Sequence, residues 1–202
     1  MRPEPAILAF DTSAAHCAAA LLSGDRLLAL RTEPMEKGQA ERLMPLLEEV
    51  LAEGSLGWAD LDALAVGTGP GNFTGVRIAV AAARGLALAL GKPALGVSRF
   101  EALALGLPAP VAVLEDARRG EVYLADGALP PRLVALEGLS VTAPRQVGSA
   151  AFADRLEPLY PLAEAIARVA ATRLGQPQPR PAPFYLRGAD AAPAADPPPV
   201  IL

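Results

Sequence analysis

Nine consecutive residues, Gly67-Thr68-Gly69-Pro70-Gly71-Asn72-Phe73-Thr74-Gly75, contain four glycines. They follow an apolar run at 61–66 and lead into an Ala-rich stretch at 76–90, closed by Gly91 with Pro93 beyond. A short continuous apolar run reads as a buried strand, and the long stretch with its glycine stop reads as a helix. A buried strand that feeds a helix through a glycine loop belongs in a sheet covered by helices. The loop is not a P-loop, because Gly75 is followed by Val76 rather than Lys, and it lacks the third glycine of the dinucleotide fingerprint. Two uses stay open. The free N–H groups at the helix start can receive an anion, with Asn72 and Thr74 as caps in its absence. Or the loop is a tight turn that only aims the helix.

The rest of the chain extends this frame. Residues 6–10, 17–22 and 26–31 read as three strands joined by the polar turn Asp11-Thr12-Ser13 and the tight turn Ser23-Gly24-Asp25. Gln39–Glu53 reads as a helix, with Leu43, Leu46, Leu47, Val50 and Leu51 at helical spacing and Gly54 as its stop. Ala94–Val97 reads as a strand and 99–107 as a short helix. Pro108-Ala109-Pro110 marks a lobe boundary. Beyond it, 111–114 and Glu121–Ala125 are strands around the turn Asp116-Ala117-Arg118-Arg119-Gly120, a second meander that opens as the first did. Residues 161–174 read as a last helix. From Gln176 onward the chain carries eight prolines, interrupted by Phe184-Tyr185-Leu186-Arg187, and is expected to lie extended on the surface. The division expected is therefore a first lobe at 1–107, a smaller second lobe at 108–175 and a Pro-rich segment at 176–202 packing back on the surface. The class is α/β. Two mixed sheets with helices, facing each other across a cleft, form the actin-like/sugar-kinase/chaperone-ATPase architecture.

Composition narrows the chemistry. One His and one Cys in 202 residues exclude a His/Cys zinc site, a redox pair and a disulfide framework. Only oxygen-ligand metal sites remain, and no metal site is expected. Net charge is −4, split evenly: residues 1–100 and 101–202 each hold 9 bases and 11 acids. With no basic block, autonomous nucleic-acid binding is not expected. The N-terminal apolar run is interrupted at Asp11, unlike a signal peptide. The stretch 76–90 carries Arg77 and Arg84 and is too short to span a bilayer. A cytoplasmic protein is expected.

Several groups are candidates for chemistry. Asp11, Thr12 and Ser13 could face a phosphate across the cleft, or simply make an ordinary hairpin turn. Asp11, Ser13 and His16 suggest a hydrolase triad, but three residues on one hairpin seldom place the base between nucleophile and carboxylate, and no Gly-x-Ser-x-Gly elbow occurs. Glu115, Asp116 and Glu121 with Arg118 and Arg119 form the second polar turn, which read alone is solvated. Small residues surround the 76–90 helix, and Arg77 and Arg84 share one of its faces.

Taken in order, Ile7-Leu8-Ala9-Phe10-Asp11-Thr12-Ser13, Ala40-Glu41-Arg42-Leu43-Met44-Pro45, Gly69-Pro70-Gly71-Asn72-Phe73-Thr74-Gly75-Val76-Arg77-Ile78, Asp116-Ala117-Arg118-Arg119-Gly120-Glu121-Val122-Tyr123 and Tyr185-Leu186-Arg187 closely resemble the TsaB (YeaZ) family of bacterial threonylcarbamoyladenosine biosynthesis subunits. The resemblance covers nearly the whole chain. It implies a non-catalytic scaffold that pairs with the catalytic subunit TsaD and the ATPase TsaE, or with a second copy of itself. The assembly transfers a threonylcarbamoyl group from its adenylate, made with ATP and Mg, to adenosine 37 of tRNA. This chain would bind no cofactor alone and would meet tRNA indirectly. Asp11, Thr12, Ser13, Gly69, Gly71, Asn72, Thr74, Gly75, Asp116, Arg118 and Glu121 would be vestigial phosphate and cleft loops. Leu43, Leu47, Val50, Arg77, Val80, Ala83, Arg84 and Ala87 would form the partner interface. The chain departs from many relatives at Met35-Glu36-Lys37-Gly38-Gln39, which lacks their His, and at 129–158, which is short and broken by Pro and Gly. The alternative is an autonomous small phosphotransferase or a glycoprotease-like peptidase.

Overall fold

The computed structural model describes residues 4–187. Strands β1 (Ala6–Asp11), β2 (His16–Ser23) and β3 (Arg26–Pro34) form an antiparallel meander. Helix α1 (Gln39–Glu53) returns the chain so that β4 (Ala63–Gly67) pairs parallel to β1; α2 (Phe73–Leu90) does the same for β5 (Ala94–Val97) beside β4. The sheet order is β3-β2-β1-β4-β5. After α3 (Arg99–Ala104), the strands β6 (Val111–Asp116), β7 (Glu121–Ala125) and β8 (Arg132–Ala135) make a second antiparallel meander. Strands β9 (Arg145–Val147) and β10 (Arg155–Leu156) then add in parallel. Read from β8, the second sheet runs β8-β7-β6-β9-β10, repeating the first strand for strand. Helix α4 (Leu162–Ala171) follows.

This duplicated, two-lobed arrangement is the actin-like fold expected from the element order. The second copy is reduced in a specific way. Where α1 and α2 cross over in the first lobe, the connections 136–144 and 148–154 contain no helix. Leu139, Val141, Ala143 and Ala150 from those loops cover the sheet face in their place. Strands β8 to β10 escaped the sequence because each has only two to four residues, too few for an alternation to register.

The first sheet is buried on both faces. Along β1 the two-residue period sends Leu8 and Phe10 toward α1 and α2, and Ile7 and Ala9 toward α4. Helix α4 was expected in the second lobe, but it packs on β1, β2 and β4, with Ala163 against Ala18 and Ala20. The small facing side chains let helix and sheet approach closely. Helix α3 lies between the lobes: Phe100 and Leu103 enter the second-lobe core while Ala102 joins the first.

Helix α2 starts three residues earlier than expected, at Phe73, because Asn72 caps it by accepting a 2.9 Å hydrogen bond from Gly75 N–H. It is long and apolar enough to cross a membrane. Its apolarity has a local use, since Val76, Ala79, Val80 and Ala83 pack into the core beneath it.

The Pro-rich segment does more than lie on the surface. Pro181 is buried, and Phe184 and Leu186 pack into the core shared by α3 and the second sheet. Residues 188–202, with four of the eight prolines, lie outside the described residues.

Candidate functional site

The two lobes leave a cleft of about 620 Å³ lined by Ser13, Asn72, Arg99, Glu115, Asp116 and Arg118 among others. Its floor on the first lobe is the end of β1. Asp11, Thr12 and Ser13 are each no more than 1% exposed. One oxygen of Asp11, Oδ1, accepts hydrogen bonds from Ser13 N–H at 2.9 Å and Ser13 Oγ at 2.8 Å, with His16 Nε2 also 2.8 Å away. Burial alone raises the pKa of Asp11. The His16 hydrogen bond, the positive Arg99 and the Ser13 N–H outweigh that and hold it below the ordinary aspartate value.

This cluster is not a hydrolase triad. Ser13 and His16 both bond to the same carboxylate oxygen, so the imidazole does not stand between nucleophile and acid. The arrangement is structural, and its pH dependence follows. A carboxylate whose folded pKa is depressed contributes stability above its unfolded value, near pH 4, and that stability is lost as pH falls through the lower folded value. Urea unfolding between pH 5 and pH 2 is expected to show a steeper stability loss for the wild type than for Asp11→Asn. Parallel curves for the two proteins count against it.

The glycine segment meets this floor directly. Thr12 Oγ1 donates to Gly75 C=O at 2.7 Å, and Asn72 N–H donates to Ser13 C=O at 2.6 Å. A Cβ on Gly71 would stand 2.3 Å from Ser13 O, and one on Gly67 would stand 1.9 Å from Asp11 Oδ2. The glycines therefore serve the close approach of the chain's own two loops. Of the candidates, Ser13, Gly71 and Asn72 reach the cleft wall, whereas Gly69 is buried behind it. Thr74 lines a different depression, beside Lys37–Glu41.

Across the cleft, Asp116 Oδ1 accepts from Arg118 N–H at 2.8 Å, and Arg118, Arg119 and Gly120 all take left-handed backbone with φ of 58–72°. That run turns the strand sharply and points the Asp116 and Arg118 side chains outward. Glu121 does not join them at the cleft wall; it pairs with Arg187 at 2.7 Å.

Two features were not visible in the sequence as functional. Arg99, at the start of α3, spans the cleft: its Nε donates to Glu115 Oε2 at 2.5 Å, its Nη1 stands 3.5 Å from Ser13 Oγ, and Ser149 N–H holds the other Glu115 oxygen at 2.7 Å. A lone arginine after a serine carries no signal of this. The other feature is a strap made by 184–187. Phe184 N–H donates to Thr68 C=O in the first lobe, and Arg187 donates to Ala117 C=O in the second at 2.8 Å. Tyr185 accepts from Arg77 at 2.7 Å and lies 5.0 Å from the Phe73 ring, over which the Arg77 guanidinium sits. The available hints were that these four residues interrupt a proline run and that Tyr185-Leu186-Arg187 matches a family motif; neither says that they bridge the lobes.

The expected interface set divides sharply. Leu43, Leu47, Val50, Val80 and Ala83 are no more than 3% exposed and form the core under α1 and α2. They cannot meet a partner, because the first sheet takes them. Arg77 and Arg84 are exposed and Ala87 is half-buried. The outward face is instead Glu41, Met44, Pro45 and Glu48 of α1 with Thr74, Arg77, Ala81 and Leu88 of α2. Leu88 is 86% exposed and Met44 38%. Among the described residues no group of three or more His, Cys, Asp or Glu is placed to hold a metal ion.

Known proteins resemble both the fold and its sequence. A YeaZ structure from Pseudomonas aeruginosa superposes with a TM-score of 0.75 at 30% identity over 90% of this chain and all of that one. A second structure from that organism, described as similar to the peptidase YEAZ, superposes at 0.78 and 30% identity over 91% of this chain and all of its own. The chain belongs to the TsaB/YeaZ family. Residues 33–190 match the family model described as "TsaD: tRNA N6-adenosine threonylcarbamoyltransferase". The tRNA threonylcarbamoyladenosine biosynthesis protein TsaB of Escherichia coli is 38% identical over 125 residues, covering 59% of this chain and 54% of that protein. An uncharacterized Mycobacterium leprae protein is 34% identical over 97% of this chain and 59% of its own length. The chain thus spans little more than half the length of these curated relatives. The TsaB/YeaZ match covers the motif series that begins at Asp11, Gly69 and Asp116, of which Ser13, Gly71, Asn72 and Asp116 line the cleft.

Proposed function

We propose that this chain is the non-catalytic TsaB-type subunit of a cytoplasmic tRNA threonylcarbamoyladenosine-forming assembly. It pairs with a TsaD-type catalytic subunit, works alongside a TsaE-type ATPase, and forms a homodimer when alone. ATP, Mg and the threonylcarbamoyl adenylate are used by the assembly. The observation that carries the non-catalytic part is the closed cleft floor. The two loops that would receive a phosphate bond to each other, Thr12 to Gly75 and Asn72 to Ser13, and Arg99 already neutralises Glu115. A nucleotide would have to break these contacts before gaining its own. Asp11, Thr12, Ser13, Gly69, Gly71, Asn72, Gly75, Asp116 and Arg118 are then retained as scaffold.

The partner surface in this proposal is the outward face of α1 and α2, centred on Met44, Ala81 and Leu88. Exposed apolar side chains on adjacent helices are suited to burial against another protein. The test is reconstitution with TsaD-type and TsaE-type subunits on unmodified tRNA. Omitting this chain is expected to abolish modification, and calorimetry with Mg-ATP on the isolated chain is expected to be silent. Full modification without it sinks the proposal. Tight Mg-ATP binding with turnover abolished by Asp11→Ala supports the autonomous phosphotransferase instead.

A further inference from the structure

Along the β5 edge of the first lobe runs a groove of about 620 Å³. One wall is the C-terminal half of α2, with Arg84, Gly85, Ala87 and Leu88. The floor is Lys92, Pro93, Ala94 and Leu95, and the other wall is the segment from Gln176 to Pro181. Three cations, Arg84, Lys92 and Arg180, line it with the amides of Gln176 and Gln178, and among the described residues no carboxylate does. Arg31, Arg42, Arg99, Arg168, Arg173 and Arg187 each pair with a neighbouring carboxylate, whereas Arg77 bonds Tyr185 instead. Arg84, Lys92 and Arg180 have no ion-pair partner among the described residues.

From this convergence we infer that the groove binds the phosphodiester backbone of RNA, an inference that rests on the tRNA-modification reading above. Three like charges in one groove repel each other, and an anion that bridges them recovers that energy. Among the described residues that line it, the groove has no aromatic side chain of the kind that anchors a protein partner. It offers cations for phosphate oxygens and amides for phosphate or ribose, the chemistry of sequence-independent backbone contact. Its position also suits that role. Helix α1 covers the β2–β3 side of the sheet while the groove opens on the β5 side; the groove shares Leu88 with the proposed partner face, but Lys92 in its floor and Arg180 in its other wall are not part of that face. The even charge count of the sequence conceals the patch, because its members come from positions 84, 92 and 180.

The experiment is fluorescence anisotropy of labelled unmodified tRNA with the complex of this chain and its TsaD-type partner, from 50 to 200 mM salt. Each phosphate neutralised contributes about 0.7–0.9 to the salt slope, so replacing all three cations by Gln is expected to make it shallower by about 2–3. Over that range the wild type should lose about 20- to 40-fold more affinity than the variant. The double variant Lys92→Gln/Arg180→Gln, which leaves Arg84 intact beside the partner face, should show about two-thirds of the slope change. Unchanged affinity and slope in variants that still co-elute with the partner overturn the inference. Equal loss of binding to poly-glutamate, with tRNA unaffected, overturns it in favour of an acidic protein segment. Failure of the wild type itself to co-elute sinks the scaffold reading; the same titration on the chain alone then still decides the groove.

Discussion

Ala83→Glu is expected to unfold the first lobe, while Ala81→Glu, two residues away on the same helix, leaves the fold intact and removes only partner binding. The two positions differ by about 200° around α2. Ala83 is fully buried among Leu46, Leu47, Val66 and Val80, and Ala81 faces solvent. A carboxylate placed at 83 has no partner in that cluster. An unpaired buried charge costs about 3–5 kcal/mol, and a glutamate must also displace core side chains. That is a large part of the roughly 5–15 kcal/mol that holds a domain folded. At 81 the same charge stays in water until a partner covers it. Circular dichroism and urea unfolding read the first effect, and gel filtration with the TsaD-type subunit reads the second. A well-folded Ala83→Glu protein that fails only to associate would return the buried stripe to the interface.

Gly75→Ala is expected to destabilise the protein by about 2–4 kcal/mol, and Gly85→Ala on the same helix to stabilise it by about 0.5–1 kcal/mol. Gly75 lies in the first turn of α2, and a Cβ there would stand 1.9 Å from Thr12 O and 2.9 Å from Thr12 C. Both obstacles are backbone, so they cannot swing aside as a flexible side chain would. The β1 end must part from the helix, breaking the Thr12 to Gly75 and Asn72 to Ser13 hydrogen bonds that close the cleft floor. Nothing lies within 4 Å of a Cβ on Gly85. There the substitution only raises helix propensity and reduces the freedom of the unfolded chain. Urea unfolding of both variants is the measurement. Equal and small effects at the two sites would mean that the loops do not touch as closely as described.

Much of the fold could be read from the chain, for reasons tied to particular residues. The stripe Leu43, Leu46, Leu47, Val50 and Leu51, with Gly54 as its stop, placed α1 at Gln39–Glu53, its observed ends. The two meanders led to the duplicated sheet. The interface did not follow, because large apolar residues mark the face a helix buries without saying whether sheet or partner buries it. Here the sheet does, and the outward face that we propose for the partner consists of scattered groups such as Ala81, Pro45 and Leu88. The glycine loop was legible as a place of close approach. What approaches it, Thr12 and Ser13, lies about 60 residues earlier in the chain.

The sequence by itself determined the strand–loop–helix at Gly67–Gly75, the first meander, the hairpin that opens the second, the limits of α1 and the absence of any His/Cys zinc site. It also carried the family, through motifs short enough to be local. These depend on period, turn chemistry and counting, all properties of neighbouring residues. Only the tertiary structure decided that α4 belongs on the first sheet, that Arg99 bridges to Glu115, that 184–187 straps the lobes together and that positions 84, 92 and 180 share one groove. Those are relations between residues far apart in the chain. They arise because a sheet buried on both faces takes whichever apolar surface reaches it, and the charges left outside then sit wherever that packing leaves them.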